Sequence, residues 1–300
     1  MDINKLFNID GKTALITGGS RGIGEMIAAG FLANGVKVYI TARKEAPLIE
    51  KAKELSEKFN GECIAIPCDL SNMEGIQKLA SDYLNHEDSL DILVNNAGAA
   101  WGEPYENFSE KGWDKVMDTN VKSMFFLTRD LTPALGKNAS DDEPARVINI
   151  GSIDGINVPI FETFSYSASK AAVHHLTRAL ASKLVRENIL VNAIAPGPFP
   201  TKGAWERLSP GQDADDSATS SGNPMGRNGE MQELRNLATF LMADGCDYLT
   251  GQTIAIDGAI HLASGGNFYQ SLDKLSDDDW DGVRDMIRSS NDADKAKRSV

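Results

Sequence analysis

Three hundred residues are enough for one large domain or two ordinary ones, and 41% apolar residues with 27 glycines and 11 prolines exclude a disordered, collagen-like or low-complexity chain. Lys and Arg number 30 against 43 Asp and Glu, a formal charge of −13 that repels phosphate backbones and anionic lipid surfaces, so neither nucleic acid nor membrane is an expected partner. Cys63, Cys68 and Cys246 form no CxxC pair, and the start Met1-Asp-Ile-Asn-Lys-Leu-Phe has no basic leader before an apolar run, so reduced buried thiols, no metal and a cytoplasmic location are expected.

From Thr13 onward, short β-branched runs alternate with longer amphipathic ones. Strands are predicted at Thr13 to Thr17, Val36 to Thr41, Ile64 to Pro67, Ile92 to Val94, Val147 to Ile150, Leu190 to Ile194 and Thr253 to Ile256. Between them, apolar residues at helical spacing predict helices at Ile23 to Ala33, Pro47 to Phe59, Ile76 to Leu84, Trp113 to Leu135, Tyr166 to Arg186 and Glu230 to Met242. The strands are apolar almost throughout, as parallel strands covered on both faces must be. The series predicts an α/β fold: a doubly wound, parallel, seven-stranded sheet of the Rossmann kind. Residues 1–265 would form the catalytic domain. Within it, about 196–225, rich in Pro, Gly, Ser and Asp, has the length of a substrate lid. Residues 266–300 read as a helical extension. There Asp277-Asp-Asp-Trp-Asp-Gly282 mimics the start of a calcium loop, but Arg288 stands where the bidentate glutamate belongs. A helix capped by Ser276 with Asp279, carrying Trp280, Val283 and Ile287 on one buried face, fits better.

Thr17-Gly-Gly-Ser-Arg-Gly-Ile-Gly24 joins the first strand to the first helix. Glycines there permit a tight turn and let a pyrophosphate reach the positive helix end, which nominates Gly18, Ser20, Arg21, Gly22, Ile23 and Gly24 for a dinucleotide. Some 20 positions on, an acid would hold a free ribose 2′-hydroxyl; this chain has Ala42-Arg43. Arg43 and Arg21 would pair instead with a 2′-phosphate, so NADP(H) is the expected cofactor. Asp69 is a candidate for the adenine edge or a helix cap.

Tyr166 and Lys170 are four residues apart, hence on one helix face, and Ser152 lies just past the fifth strand. Bringing a phenol from near 10 to about 7 needs ~4 kcal/mol, which an ammonium at about 4 Å can supply at an effective dielectric near 20. The expectation is a lysine-acidified Tyr166 that exchanges a proton with a substrate oxygen held by Ser152. His174 and His175 point in different directions and are expected to be packing residues; no GxSxG hydrolase elbow occurs.

Thr17-GGSRGI-Gly24, Asn95-Asn-Ala-Gly98, Asn120, Ser152, Tyr166/Lys170 and Pro196-Gly-Pro-Phe-Pro-Thr201 follow one another as in the short-chain dehydrogenase/reductase family, which the chain resembles over about residues 7 to 262. The resemblance implies an oxidoreductase whose catalytic residues are Asn120, Ser152, Tyr166 and Lys170, with Asn120 shaping a helix and holding a water in a relay with Lys170. It implies further cofactor contacts from Leu70, Asn96, Ala97, Gly98, Tyr166, Lys170, Pro196, Gly197, Phe199 and Thr201, and a homodimer or homotetramer joined through the long helices. Trp101-Gly, Gly112-Trp-Asp-Lys-Val-Met, Ala145-Arg-Val-Ile-Asn-Ile-Gly-Ser and Pro224-Met-Gly-Arg look like the NADPH-dependent 3-oxoacyl reductases, especially those of rhamnolipid pathways. A 3-oxoacyl or similar lipophilic ketone would then sit among Trp101, Ile153, Phe161, Phe164, Trp205 and Met225. The alternatives are a secondary-alcohol, sugar or steroid dehydrogenase of the same family, or a non-catalytic NADP(H)-sensing binding protein.

Overall fold

The computed structural model describes residues 6–159, 162–199, 223–263 and 275–298. Seven strands, β1 (Thr13–Thr17), β2 (Lys37–Ala42), β3 (Cys63–Pro67), β4 (Ile92–Asn95), β5 (Ala145–Ile150), β6 (Ile189–Pro196) and β7 (Thr253–Ile256), pair in parallel in the order β3-β2-β1-β4-β5-β6-β7. The order reverses between β1 and β4, and that switch point leaves a crevice at the carboxyl ends of the strands.

The helices are α1 (Gly22–Leu32), α2 (Glu45–Phe59), α3 (Met73–His86), α4 (Glu110–Met117), α5 (Ser123–Leu135), α6 (Phe164–Leu184), α7 (Met231–Met242) and α8 (Asp277–Arg298). Two apolar layers sandwich the sheet, and the period of two along each strand decides which residue feeds which layer. Ala14, Ile16, Val38, Ile40, Ile92, Val94, Ile148 and Ile150 meet α1, α2 and α7 on one side. Their neighbours Leu15, Tyr39, Leu93 and Val147 meet α3, α5 and α6 on the other.

The segment Trp113 to Leu135, predicted as one helix, is two. A π turn, Asp118–Lys122, separates α4 from α5 and contains Asn120. The chain divides into two compact units, Met1–His261 and Leu262–Val300. In the second, α8 begins as its sequence suggests: Asp279 N–H donates to Ser276 Oγ (3.2 Å), and the Asp279 carboxylate accepts from the Ser276 N–H (2.9 Å). In the chain by itself Trp280 and Ile287 are exposed and Val283 is half-buried, where the sequence predicts a stripe buried against the same subunit or a neighbouring one. Among the described residues no helix is long and apolar enough to cross a membrane.

Candidate active site

The glycine-rich loop is stapled to the end of β4. Thr17 Oγ1 accepts the N–H groups of Asn96 and Ala97, both at 2.9 Å, and Asn96 Nδ2 donates to the carbonyls of Thr17 (2.8 Å) and Gly18 (3.2 Å). Gly18 and Gly22 hold φ values of +67° and +61°, which only glycine adopts cheaply. At Gly24 a Cβ would stand 2.5 Å from both the Gly18 carbonyl oxygen and Asn96 Nδ2. Arg21 precedes α1 in extended conformation and contributes no capping side chain, so the first amides of the helix stay available to an anion. Arg21 and Arg43 are exposed, and neither guanidinium has a hydrogen-bond or ion-pair partner among the described residues. A narrow glycine cradle, a positive helix end and two uncommitted guanidinium groups fit a phosphorylated dinucleotide.

Asp69 is exposed and accepts the Ser71 N–H at 3.0 Å, while the cap of α3 is Asn72, whose side chain accepts from Gly75 N–H at 2.9 Å. Ser20 and Ile23 are half-buried in the same loop, and Leu70 packs in the core beside α3.

At the other end of the crevice the polar groups are buried. The π turn carries Asn120 inward, where Oδ1 accepts the Ala99 N–H (2.7 Å) and Nδ2 donates to the Ala99 carbonyl (3.0 Å) and Ser169 Oγ (2.9 Å). Below it runs a ladder, Asn95 to Asn149 (2.9 Å) and Asn149 to Thr177 (3.0 Å), of which the family motif points to Asn95 alone. An asparagine inside a fully buried strand was the available signal.

Ser152, 8% exposed, follows β5, and its hydroxyl is near enough to the Tyr166 phenol on α6 to favour the phenolate. Lys170, 5% exposed, turns its Nζ to the Ile150 carbonyl at 2.7 Å and stands 5.6 Å from the centroid of the Tyr166 ring. The fold thus brings Ser152, Tyr166 and Lys170 together, with Asn120 linked to them through Ser169, whose hydroxyl donates to the Tyr166 carbonyl at 2.7 Å.

In the chain by itself, burial acts on the phenol in the direction opposite to that expected of the lysine. Desolvation pushes Tyr166 up to about 12; the Ser152 hydrogen bond opposes this and the nearby Asp154 carboxylate reinforces it. Burial likewise lowers Lys170 to about 8, with Asp154 pulling the other way. Burial of both groups thus opposes the ammonium–phenolate attraction expected from their spacing, an attraction to which the positive ring of an oxidised nicotinamide would add. Asp154 itself, two residues past Ser152, was also missed; its carboxyl is raised by burial, against the pull of Lys170.

His174, one turn beyond Lys170, is buried against the Ser152 segment, and a Cβ at Gly151 would stand 2.1 Å from its Nε2. Burial, then the charge of Lys170, lowers its imidazole to about 4, with a hydrogen bond to the Gly155 main chain opposing.

The expected pocket residues separate. Ile153 is half-buried beside Ser152, while Met225 and Phe164 are exposed. Phe164 meets Tyr105 and Phe108 edge-on, both at 5.7 Å between ring centroids. Trp101 rests on α4, with Lys115 Nζ 4.7 Å above its ring and Gly112 leaving it room. Phe199, expected at the cofactor, has its ring in the core under Gly229, so only its main chain is left for a ligand. Pro196 ends β6, and Gly197 packs on Asp257. Gly98 lies beside Asn120 and Lys170. Phe161, Thr201 and Trp205 lie outside the described residues. A cavity of about 310 Å³ opens between Gly102–Pro104 and Glu162–Thr163.

The family model described as Enoyl-(Acyl carrier protein) reductase matches residues 18–261. The rhamnolipids biosynthesis 3-oxoacyl-[acyl-carrier-protein] reductase of Pseudomonas aeruginosa is 45% identical over 256 residues, 85% of this chain and 98% of that protein. The 2-dehydro-3-deoxy-D-gluconate 5-dehydrogenase of Dickeya dadantii is 38% identical over 259 residues, 84% of this chain and 96% of that protein. Among solved structures, the Pseudomonas aeruginosa RhlG/NADP active-site complex superposes with a TM-score of 0.81 at 45% identity, covering 86% of this chain and 99% of that one.

Proposed function

The chain belongs to the short-chain dehydrogenase/reductase family and is an NADP(H)-dependent oxidoreductase, and on that premise we propose that it reduces a 3-oxoacyl compound or a similar lipophilic ketone to the secondary alcohol. The observation that carries the chemistry is the convergence of Ser152 on the phenol of Tyr166 beside a buried Lys170. The cofactor would lie along the glycine loop, its pyrophosphate at the start of α1 and its 2′-phosphate against Arg21 and Arg43, and when bound it supplies the hydride.

In this reading Ser152 holds the carbonyl oxygen and Tyr166 gives that oxygen its proton. Lys170, anchored by Ile150, and Asn120, held by Ala99, line the route by which the phenol regains a proton. The catalytic domain is residues 1–265, with 196–225 as its substrate loop, and the assembly is a homo-oligomer. Exposed Ile156, Val158, Phe164 and Met225 support an apolar substrate, as does the name of the Pseudomonas relative. The Dickeya relative favours a second reading, a sugar dehydrogenase.

The test is NADPH and NADH oxidation by the full chain with 3-oxoacyl thioesters of graded length and with keto sugars. Turnover of the thioesters with NADPH is expected. Turnover of sugars alone overturns the substrate, and NADPH binding without turnover of any ketone leaves a nucleotide-sensing protein.

A further inference from the structure

Directly after Ser152, the 3-10 turn Ile153–Gly155 lies flat on α6 because Gly155 has no side chain: a Cβ there would stand 2.5 Å from the carbonyl carbon of Lys170 and 2.7 Å from the Ala171 nitrogen. The Asp154 N–H donates to Ser152 Oγ at 3.1 Å, so serine and carboxylate are carried as one unit against the face that bears Tyr166 and Lys170. Asp154 is half-buried, and its carboxylate has no hydrogen-bond or ion-pair partner among the described residues. The titratable groups around it are few. From α6 come Tyr166, Lys170 and His174; β6 carries none. Beyond β7, Asp257 is bonded to His261 (2.7 Å), and that pair touches this loop through Asn157 Nδ2 and the His261 carbonyl (3.1 Å). The turn packed on the α6 face that bears Tyr166 and Lys170 therefore carries an unpaired carboxylate.

We propose that Asp154 is a positioning residue of the proton-transfer site: acting through space on Tyr166 and Lys170, its charge keeps both protonated and extends the range over which the site donates a proton to higher pH. The inference rests on Tyr166 being the proton donor. The direction follows from Coulomb's law, since a carboxylate opposes phenolate formation and favours an ammonium, and the low-dielectric surroundings leave that field poorly screened. Both effects have this sign at Tyr166 and Lys170, and Lys170 in return favours the ionised form of Asp154. The carboxylate thus favours the charged form of Lys170 against the effect of burial.

The experiment compares full-length Asp154→Asn and Asp154→Glu with the parent by two readouts. One is the pH profile of kcat/KM for ketone reduction. The other, free of activity, is the titration of the Lys170 Cε resonance in a chain labelled with 13C-lysine, assigned through Lys170→Arg. In Asp154→Asn the alkaline limb and the Lys170 midpoint are both expected to fall by about half a unit to one unit, and in Asp154→Glu to stay near the parent values. Should Asp154→Asn fail to fold, Asp154→Ser takes its place. Unchanged midpoints in the neutral variant, or the same fall in Asp154→Glu, overturn the proposal. A parent that binds NADPH and reduces no ketone overturns the functional reading instead, and the Lys170 titration still decides Asp154.

Discussion

At the carboxyl ends of β1 and β2 the chain offers main-chain amides, glycines and two exposed arginines; at the end of β5, along α6 and in the π turn it offers Ser152, Lys170, His174 and Asn120, all 8% exposed or less. The first region presents groups that remain hydrated until a ligand binds. The second sets its proton affinities by excluding water, and desolvation there outweighs single charge pairs. On the proposed reading, one fold holds a recognition surface made of backbone shape and a reaction centre made of burial.

The largest test of that contrast is Tyr166→Phe. Removing the proton donor is expected to lower reductase turnover by roughly 10³-fold, within the range of general acid catalysis, while NADPH affinity by fluorescence titration stays within about twofold. Loss of both together would show that the two regions are not separable.

Next is the acid stability imposed by His174. Its folded value of about 4 lies below the unfolded value near 6.5, so the folded chain binds fewer protons between those limits. Stability is full above pH 6.5 and falls as the pH drops to 4, by up to about 3 kcal/mol. Urea midpoints across that window should show the slope, and His174→Gln should flatten it. A parent slope that survives in His174→Gln places the effect elsewhere.

On the nucleotide side, Gly24→Ala drives a methyl to 2.5 Å from the Gly18 carbonyl and is expected to cost about 1–3 kcal/mol, read as a lower Tm with weakened NADPH binding. The smallest effect is Arg43→Ala: NADPH should bind about tenfold more weakly, with NADH unaffected, if the guanidinium meets a 2′-phosphate. Equal loss for both nucleotides would sharpen the picture differently, making Arg43 a general anion contact.

Much of the nucleotide region was legible from residues near one another in the chain. Thr17 to Gly24 is a single stretch, its role follows from a strand on one side and a helix on the other, and Arg43 follows the next strand by one position. The reaction centre was legible by residue type only. Tyr166 and Lys170 share a helix face by spacing alone, but Asp154, the Asn95–Asn149–Thr177 ladder and the π turn depend on segments far apart in sequence. Phe199, expected at the cofactor, has its ring packed in the core under Gly229, because an aromatic side chain reads the same at a site as in a core.

Sequence by itself determined the strand and helix order, the glycine loop and the helical turn that joins Tyr166 to Lys170, since periodicity, backbone freedom and i,i+4 spacing are local properties. Tertiary structure decided which side chains lose their water, and with that the direction in which burial moves the phenol and the lysine. Desolvation is set by whatever distant segments close over a group, and no local pattern encodes what those segments will be.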